Sequence, residues 1–459
     1  MPSVEFHRKR REALRKVTNG PVLLMGLGER ARNIPMNHLP FRQDSSFLYF
    51  TGCTLRNAAL LLTDDQCILF LPTPDEGDAL WHGPTPSLQE LGENLGFSHV
   101  KPRSELSQYV HPLARRLHTI AVSDLKINLE LESMLNRSFR FGSINAEDRS
   151  LIDQICVLRR ILQPEEIDEM RTALSVTHKG FIAAMNATHI NGHEHEVAAA
   201  FHCELIKAGC AAAYSPIVTV DGHILHNHHH HNHLRPGQLL LLDGGAEAAS
   251  GYATDITRTW PVSGSFNPQQ LAAYSAVLDA QEQAISMLKK GTRYRDVHFK
   301  ACEVLSSFLC EEKLLLCSAE EALETGAHAL FFPHGIGHLL GLDVHDLENF
   351  GDVAAYAPGR TRPTDFGSAY LRLDLDVCPG MVVTIEPGFY IVPEIFRSPS
   401  LIEPHQTRIG WSTLEKWKGF GGIRIEDNIL CTESEPEVLS ATIPKTPKAI
   451  IEVMNHIEP

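Results

Sequence analysis

The chain lacks the features typical of secreted, membrane-spanning and nucleic-acid-binding proteins. Its ten cysteines are scattered without a C-x-x-C pair, which excludes a dense disulfide framework and indicates reduced thiols. No apolar run approaches the length of a membrane span. Lys and Arg number 41 against 56 Asp and Glu, so the net charge of −15 argues against nucleic acid or an anionic membrane as partner. We therefore expect a cytoplasmic protein.

The chain has enough residues, 459, for two domains. Strand patterns at 21–27, 57–72 and 120–123 alternate with helical ones, which predicts an α/β domain, and the segment 40–52 is interpreted as a loop and edge strand. After residue 151 helical patterns dominate, and Pro164 with two following acids opens a long helix. We predict domains at 1–155 and 156–459.

The stretch 239–264 predicts a β-hairpin that carries two carboxylates. Four leucines lead into Asp243 and a Gly-Gly pair, and a second apolar run returns with Asp255 in its middle. Without a cation, two buried carboxylates would have to share a proton, because burial and like charge both disfavour ionisation. Two interpretations stay open on the hairpin alone: a metal site, or an exposed turn acid with a strand-end cap.

A later segment, PHGIGHLLGLDVHD, concentrates three histidines within twelve positions, His334, His338 and His345. Two of them stand four apart, as in zinc-protease helices, but Gly335 occupies the position where that motif requires glutamate. The segment therefore predicts a glycine-rich loop. A single buried histidine is usually part of the core, whereas three so close together favour a functional site.

Two further carboxylates follow apolar sequence near the end of the chain. Glu386 ends the strand predicted for MVVTIEPG, and Glu426 lies within the strand predicted for IRIED. Alternation along that strand places Arg424 on the face of Glu426, where it can orient the carboxylate. Each of these residues alone is also compatible with a structural ion pair.

Together these stretches offer four carboxylates and one imidazole as metal ligands. Such an oxygen-rich set favours Mn²⁺ over a thiolate-type zinc site. Five ligands exceed what one catalytic ion needs, whereas two ions about 3.5–4 Å apart with bridging carboxylates use all of them. The five ligands are Asp243, Asp255, His338, Glu386 and Glu426.

Histidine is abundant elsewhere, with 25 residues in total. His195 and His202 lie on a helix predicted at 193–207, and the tract 228–231 with His233 lies in a polar loop; we interpret both groups as solvated. His226 differs, because it closes an apolar strand end shortly before Asp243. We place it over the hairpin.

At these residues the sequence resembles the pita-bread metallopeptidases, the family that includes aminopeptidase P and prolidase. LLLLDGG, ATDITRT, HGIGHLLGLDVHD, TIEPGFY and GGIRIEDN resemble its five ligand motifs in order, and PFRQDSSFLYFTG resembles its N-terminal domain. The resemblance covers nearly the whole chain. It implies an α/β (α+β) fold class: an N-terminal α/β domain followed by a pita-bread domain with a curved antiparallel sheet.

The resemblance implies a dinuclear-metal exopeptidase that hydrolyses Xaa-Pro bonds with a metal-bridging water as nucleophile. Asp243 would hold one ion, His338 and Glu386 the other, and Asp255 and Glu426 would bridge. The two divalent ions would be Mn²⁺, with Zn²⁺ or Co²⁺ as alternatives. Glu386 would also shuttle the proton.

The resemblance also implies substrate-binding residues. His334 and His345 would polarise the carbonyl or hold the substrate, and His226 would line the proline pocket, with Arg424 close to the substrate. In prolidases an arginine at the position of Arg372 binds the free carboxylate of a dipeptide; a surface arginine in an insertion is the other interpretation.

Substrate length and activity class stay open. The N-terminal motif resembles aminopeptidase P, while the insertion 348–370 resembles prolidase, so we expect proline-containing dipeptides or peptides with a lean to dipeptides. The alternatives are a metal-free pita-bread binding module and a pita-bread enzyme with another substrate, such as a general aminopeptidase. A homo-oligomer, dimer or tetramer, is expected.

One departure from the family pattern concerns the hairpin. Twelve residues separate Asp243 from Asp255, one more than the family pattern usually has. We place the extra residue in the turn at 248–250, which leaves both ligands in position.

Overall fold

The computed structural model describes residues 1–34, 36–74 and 77–455. The chain divides into two compact units, Met1–Arg160 with Leu347–Ala354, and Ile161–Asp346 with Ala355–Pro459. A helix that runs across residue 155 belongs to the first unit. The domain limits predicted at that residue stay a prediction, because compactness alone does not define what folds independently.

The first unit contains one sheet and the helices around it. In chain order its elements are α1 (Val4–Val17), β1 (Val22–Met25), α2 (Ser45–Thr51), β2 (Ala59–Leu62), β3 (Cys67–Leu71), α3 (Asp78–His82), α4 (Leu88–Asn94), β4 (His99–Pro102), α5 (Leu106–Val110), β5 (His118–Thr119), α6 (Leu125–Leu135) and α7 (Arg149–Arg160).

The sheet of the first unit is mixed, with the strand order β4-β3-β2-β1-β5. β2 pairs antiparallel with β1 and β3, whereas β4 and β5 pair parallel with their neighbours. Alternate apolar side chains of the central strands, such as Leu23, Leu61 and Phe70, are buried against the helices. The predicted α/β character of this part is confirmed.

Two predictions in this unit are wrong. The segment 40–52 forms helix α2 rather than a loop and edge strand, because the Asp44 side chain caps the helix by accepting from the Phe47 backbone N–H at 2.8 Å. The aromatic residues that suggested a strand are buried on this short helix. The strand expected at 120–123 lies at His118–Thr119 instead.

The second unit carries the longer helices and several small sheets. Its elements are α8 (Pro164–Ala187), α9 (Glu194–Lys207), β6 (Ala211–Ala212), β7 (Ile217–Thr219), β8 (Leu239–Gly244), β9 (Ala246–Glu247), β10 (Ile256–Pro261), α10 (Pro268–Ser286), α11 (Tyr294–Glu311), α12 (Ala319–Thr325), α13 (Asp352–Ala355, which begins in the first unit), β11 (Val382–Ile385), β12 (Gly388–Tyr390), α14 (Pro393–Arg397), α15 (Pro399–Ile402), α16 (Trp411–Lys416), β13 (Gly422–Arg424), β14 (Asp427–Leu430), β15 (Glu437–Val438) and α17 (Pro447–Asn455).

The strand pairs of the second unit are antiparallel. β8 lies between β10 and β7, β14 lies between β11 and β15, and two-stranded pairs join β12 to β13 and β6 to β9. The antiparallel sheet expected for this unit is confirmed. Within the described residues, no helix is long and apolar enough to cross a lipid bilayer.

A fully buried ion pair holds the strands of the second unit together. Arg258 on β10 and Asp427 on β14 are both 0% exposed, and the guanidinium Nη2 lies 2.7 Å from the carboxylate Oδ1. Burial alone would raise the pKa of Asp427, but Arg258 and Lys445 outweigh it and hold the pKa well below its usual range. Because each strand adjoins a predicted metal ligand, this pair also positions those ligands.

We expect Arg258→Ala to lower the free energy of unfolding by about 3–5 kcal/mol, because the buried Asp427 carboxylate would lose its fully buried partner and keep only Lys445, 3.1 Å away, as an ion-pair partner. The matched control is Arg171→Ala, which breaks the half-exposed pair of Arg171 and Glu437 and should change it by less than about 1 kcal/mol. Urea denaturation measures both. Equal losses for the two variants would contradict the structural role given to the buried pair.

Candidate metal centre

One cavity of about 680 Å³ in the second unit contains every side chain that the sequence proposed for a site. The walls also carry apolar residues from several loops. The structure therefore brings together residues that lie up to 200 positions apart in the chain. The ten proposed residues among those lining the cavity are His226, Asp243, Asp255, His334, His338, His345, Arg372, Glu386, Arg424 and Glu426.

The predicted hairpin places Asp243 and Asp255 side by side. β8 and β10 pair in the register Asp243↔Thr257, and Asp255 directly precedes β10 rather than lying in the middle of the strand. A turn closed by the Gly251 N–H on the Ala248 carbonyl at 2.8 Å occupies the segment where the extra residue was expected. Both carboxylates reach one point, where an oxygen atom of each lies within hydrogen-bonding distance of the Tyr214 hydroxyl.

Two groups of possible ligands share Glu426. Asp243, Asp255 and Glu426 form one group, and His338, Glu386 and Glu426 form the other; within each group the ligand atoms lie within 4.8 Å of one another. The His338 Nε2 atom lies 3.3 Å from Asp255 Oδ2 and 3.8 Å from Glu386 Oε1. The two groups are therefore contiguous, as a site for two neighbouring cations requires.

His345 joins the same cluster from a different direction. Its ring nitrogen forms a further group of possible ligands with Asp255 and His338, and its ring centroid lies 4.2 Å from that of His338. The resemblance assigned His345 to substrate binding. Its position at the edge of the ligand cluster is compatible with that role.

The histidine segment forms a loop, as predicted, and the loop is held against β11 (Val382–Ile385). The His338 N–H donates to Thr384 Oγ1 at 3.1 Å, and the Thr384 N–H donates to the His338 carbonyl at 3.0 Å. At Gly337, where φ is +153°, a Cβ would lie 2.2 Å from the Thr384 carbonyl oxygen. Only glycine allows this close approach, so it fixes the position of the adjacent His338.

Arg424 contacts a different carboxylate from the one expected. Its Nη2 atom donates to Asp243 Oδ2 at 2.5 Å, and its Nε donates to Thr257 Oγ1 at 3.1 Å. The Thr257 hydroxyl in turn donates to Glu426 Oε2 at 2.7 Å. The link from Arg424 to Glu426 by hydrogen bonds therefore passes through Thr257. Strand alternation could not reveal this, because Glu426 lies between β13 and β14 rather than within one strand.

The carboxylates are costly to ionise together in the absence of a cation. Burial, followed by the neighbouring carboxylates Asp255 and Glu386, raises the pKa of Glu426 well above its usual range. Burial raises the pKa of Asp255, and it raises the pKa of Glu386 to about 7. Bound divalent cations would relieve both the burial cost and the repulsion. The donor set and its electrostatics therefore fit a metal centre.

Neutral imidazoles border the cluster. Burial lowers the pKa of His334 to about 3 and that of His345 to about 2, with cationic neighbours adding to the effect. The His334 Nε2 atom lies 2.8 Å from the Tyr390 hydroxyl, which also accepts from Arg424 Nη1 at 3.1 Å. At neutral pH these imidazoles are uncharged and can donate or accept hydrogen bonds at the cavity wall.

The lining of the cavity also combines imidazole, guanidinium and apolar surface. His226 and Arg372 lie there with Leu225, Val344 and Tyr370. Burial, followed by the charge of Arg424, lowers the pKa of His226. This mixture suits a small ligand that has both a charged group and an apolar ring.

Two tyrosines of the site were not recognised from the sequence. Tyr214 lies just before β7, and it meets the aspartates because Ile217 pairs with Asp243 across the sheet. No local pattern reveals that register. Tyr390 stands at the end of the TIEPGFY motif, four residues after Glu386, so its place in the motif was the available signal.

Comparison with known families identifies the class of this protein. The profile for metallopeptidase family M24 matches residues 168–433, more than half of the chain, and that for the aminopeptidase P N-terminal domain matches residues 6–121. The chain belongs to metallopeptidase family M24 and carries this N-terminal domain.

Named relatives span nearly the whole chain. The Xaa-Pro aminopeptidase of Escherichia coli is 30% identical over 465 residues, covering 98% of this chain and 97% of the relative, and that of Haemophilus influenzae is 31% identical over 468 residues, covering 99% and 98%. The solved structure of Pseudomonas aeruginosa aminopeptidase PepP is 27% identical with a TM-score of 0.82, covering 99% of this chain and 98% of that one. A zinc-substituted E. coli aminopeptidase P in complex with product is 28% identical with a TM-score of 0.79 and the same coverage.

We expect the metal-depleted protein to lose stability as the pH rises from about 4.5 to about 7. Across this window Glu386 is ionised in the unfolded chain but keeps its proton in the folded state, where burial raises its pKa from 4.5 to about 7, so unfolding becomes more favourable as the pH rises. The measurement is the thermal midpoint in chelator against the midpoint in saturating Mn²⁺ at each pH.

The variant Glu386→Gln serves as the control, because it should flatten the pH dependence seen in chelator. If the thermal midpoint fell by the same amount with rising pH in chelator and in saturating Mn²⁺, ionisation of these carboxylates would not be the cause of the pH dependence.

Proposed function

We propose that this protein is an Xaa-Pro aminopeptidase, which hydrolyses the bond between the first residue of a peptide and a following proline. The observation that carries the proposal is the convergence of four carboxylates and His338 in one cavity. Similarity over nearly the full length to proteins named Xaa-Pro aminopeptidase supports the substrate class.

We assign two divalent ions to the cluster. Asp243 would hold one ion, His338 and Glu386 the other, and Asp255 and Glu426 would be shared. The oxygen-rich set suits Mn²⁺, while Zn²⁺ and Co²⁺ remain alternatives. When bound, such ions lower the pKa of a water molecule and polarise the peptide carbonyl, which supplies the nucleophile and the electrophile of the hydrolysis.

The residues of the chain would orient the peptide and move the proton. The Glu386 carboxylate would accept the proton released by the attacking water and pass it to the proline nitrogen as that nitrogen leaves. Neutral His345 would donate an N–H hydrogen bond to the carbonyl oxygen as negative charge develops on it. The single N–H of neutral His334 donates to the Gly335 carbonyl at 2.8 Å, so His334 would hold the substrate through contacts of its ring. Arg424 holds Asp243 in place from behind.

The proline ring would lie against the apolar part of the cavity. His226, Leu225 and Val344 line that region and offer ring faces and aliphatic surface. A pocket of this kind favours proline by contact area and by its rigid shape, which loses little conformational freedom on binding. Preference for proline at the second position would follow from this wall.

A dipeptidase is the second candidate, and the position of Arg372 favours it. This arginine lines the same cavity as the proposed catalytic groups, where a guanidinium can pair with the free carboxylate of a bound dipeptide. Longer peptides carry no charge at that point. The two candidates differ in substrate length and share their chemistry.

We expect an Xaa-Pro-containing pentapeptide to be hydrolysed with a kcat/KM at least as high as that of an Xaa-Pro dipeptide. Arg372→Ala should then lower the dipeptide kcat/KM by roughly tenfold or more, as expected for loss of a charged pair, while leaving the pentapeptide nearly unchanged. Arg171→Ala, an exposed arginine, is the matched control. A strong wild-type preference for the dipeptide would favour the second candidate.

A peptide with alanine in place of the proline tests the substrate class. If it were cleaved as fast as the Xaa-Pro peptide, the protein would be a general aminopeptidase.

We expect purified protein dialysed against Mn²⁺ to hold two ions per chain, and Asp255→Asn to hold fewer, with activity reduced by several orders of magnitude. Asp255 is expected to be shared between the ions, so its loss affects both. Elemental analysis and peptide hydrolysis measure the two effects. Glu437→Gln, a surface carboxylate, should change neither. A wild type that binds no divalent ion would indicate a binding module instead.

The expectation of a homo-oligomer, dimer or tetramer, stays a proposal of the same kind. Trp81, at 70% exposure, is a large apolar side chain available for contact with another subunit.

A further inference from the structure

Outside the cavity, histidines from two segments of the second unit converge at the start of helix α9. His193 immediately precedes α9, His195 lies in its first turn, and His233 comes from the end of the histidine-rich loop. Three side chains here can each offer one ligand atom, and the three atoms lie within 4.8 Å of one another: those of His193, His195 and Glu196. The His193 ring centroid is 4.9 Å from that of His195 and 4.0 Å from that of His233.

Backbone pairing sets the contact between His193 and His233. The Glu194 N–H donates to the Asn232 carbonyl at 3.1 Å, and the Leu234 N–H donates to the Gly192 carbonyl at 2.8 Å. These two bonds flank His193 and His233, which form the non-hydrogen-bonded pair of an antiparallel bridge. In such a pair the side chains point to the same face and approach most closely. The two imidazoles are therefore held together by the main chain.

A buried carboxylate fixes the frame that carries the histidines. Glu194 is fully buried and accepts hydrogen bonds from the Val220 N–H at 2.8 Å, the Asn232 N–H at 3.0 Å and Asn232 Nδ2 at 2.9 Å. It thus ties both ends of the loop 221–231 to the start of α9. His233 and His195, on either side of this connection, do not move independently, which lowers the entropic cost of binding one ion between them.

Hydrogen bonds also determine which ligand atoms have a lone pair available for a metal ion. The His195 Nδ1 atom lies 3.2 Å from the His230 carbonyl oxygen, so Nδ1 carries the proton and Nε2 keeps its lone pair for a metal. Glu196 accepts from the His193 N–H at 2.8 Å, and this bond lowers the pKa of the carboxylate. The ionised carboxylate offsets the positive end of the helix dipole, which would otherwise disfavour a cation there.

We propose that His193, His195 and Glu196, with His233 beside them, form an auxiliary site for a transition-metal ion such as Zn²⁺, Ni²⁺ or Cu²⁺. Imidazole nitrogen with one carboxylate suits these ions, in contrast to the oxygen-rich set of the cavity. The sequence interpretation treats His195 and His233 as solvated, and both are exposed, whereas His193 is partly buried. The structure shows in addition that these histidines lie close together, on a backbone bridge that the buried Glu194 carboxylate holds in place.

The test measures Zn²⁺ bound by the full-length, untagged holoenzyme. Wild type loaded with Mn²⁺ is dialysed to equilibrium against micromolar Zn²⁺, and bound zinc and manganese are determined by elemental analysis. The test variant is His195→Ala/His233→Ala. The matched control is His229→Ala/His231→Ala, which removes two exposed histidines of the same loop with ring centroids 5.4 Å apart. All three proteins keep the cavity ligands, so exchange of zinc into the cavity affects them equally.

We expect wild type and control to bind about one Zn²⁺ per chain more than the test variant. Equal zinc in all three proteins would overturn the proposal, and so would an equal loss in the control, because the loop would then bind zinc without a defined site.

A single-residue variant and a second readout distinguish loss of the site from misfolding of the double variant. His193→Asn keeps a residue that caps helices well and should lose the same equivalent of zinc, with an unchanged thermal midpoint in Mn²⁺. Cu²⁺ bound to wild type should show nitrogen hyperfine coupling from imidazole by electron paramagnetic resonance. A Cu²⁺ signal unaltered by His193→Asn would contradict the assignment.

Discussion

The crowding of four carboxyl groups in one cavity is the constraint on which the second unit depends. Asp243, Asp255, Glu386 and Glu426 come from three separate parts of the chain and share a largely buried volume. Folding must hold them together against desolvation and mutual repulsion. The protein does so with donors that face the carboxylates, among them the Tyr214 hydroxyl and the Arg424 guanidinium.

The surrounding sheets keep these groups in place without relying on side chains alone. Asp243 is fixed by its pairing on β8, and the Glu426 N–H donates to the Thr257 carbonyl at 3.0 Å. The buried Arg258 lies directly behind, bonding to the Glu426 carbonyl at 2.6 Å as well as to Asp427. The metal-ligand side chains are largely in position before any ion binds. The entropic cost of ordering them is therefore part of folding and does not reduce the affinity for the ion.

Local sequence patterns predicted the α/β character of the first unit and the five candidate metal ligands, whereas the pita-bread fold class and the roles of His226 and Arg372 were implied by the family resemblance. Hydrophobic runs ending in single acids and a glycine-rich histidine loop each carry their information within a few residues. The helix at Ser45–Thr51 was missed, since its aromatic residues suggested a strand and its cap at Asp44 was overlooked. Tyr214 and the true partner of Arg424 depend on registers between distant strands, which a single sequence does not encode locally.

The loop 221–231 has both ends tied to one buried carboxylate, that of Glu194, while residues within it, His223, Leu225, His226 and His228, line the cavity. Such a loop with adjoining ends can change in length or composition without displacing the strands that bear the metal ligands. Its sequence can therefore change the lining of the cavity while the set of candidate metal ligands stays the same.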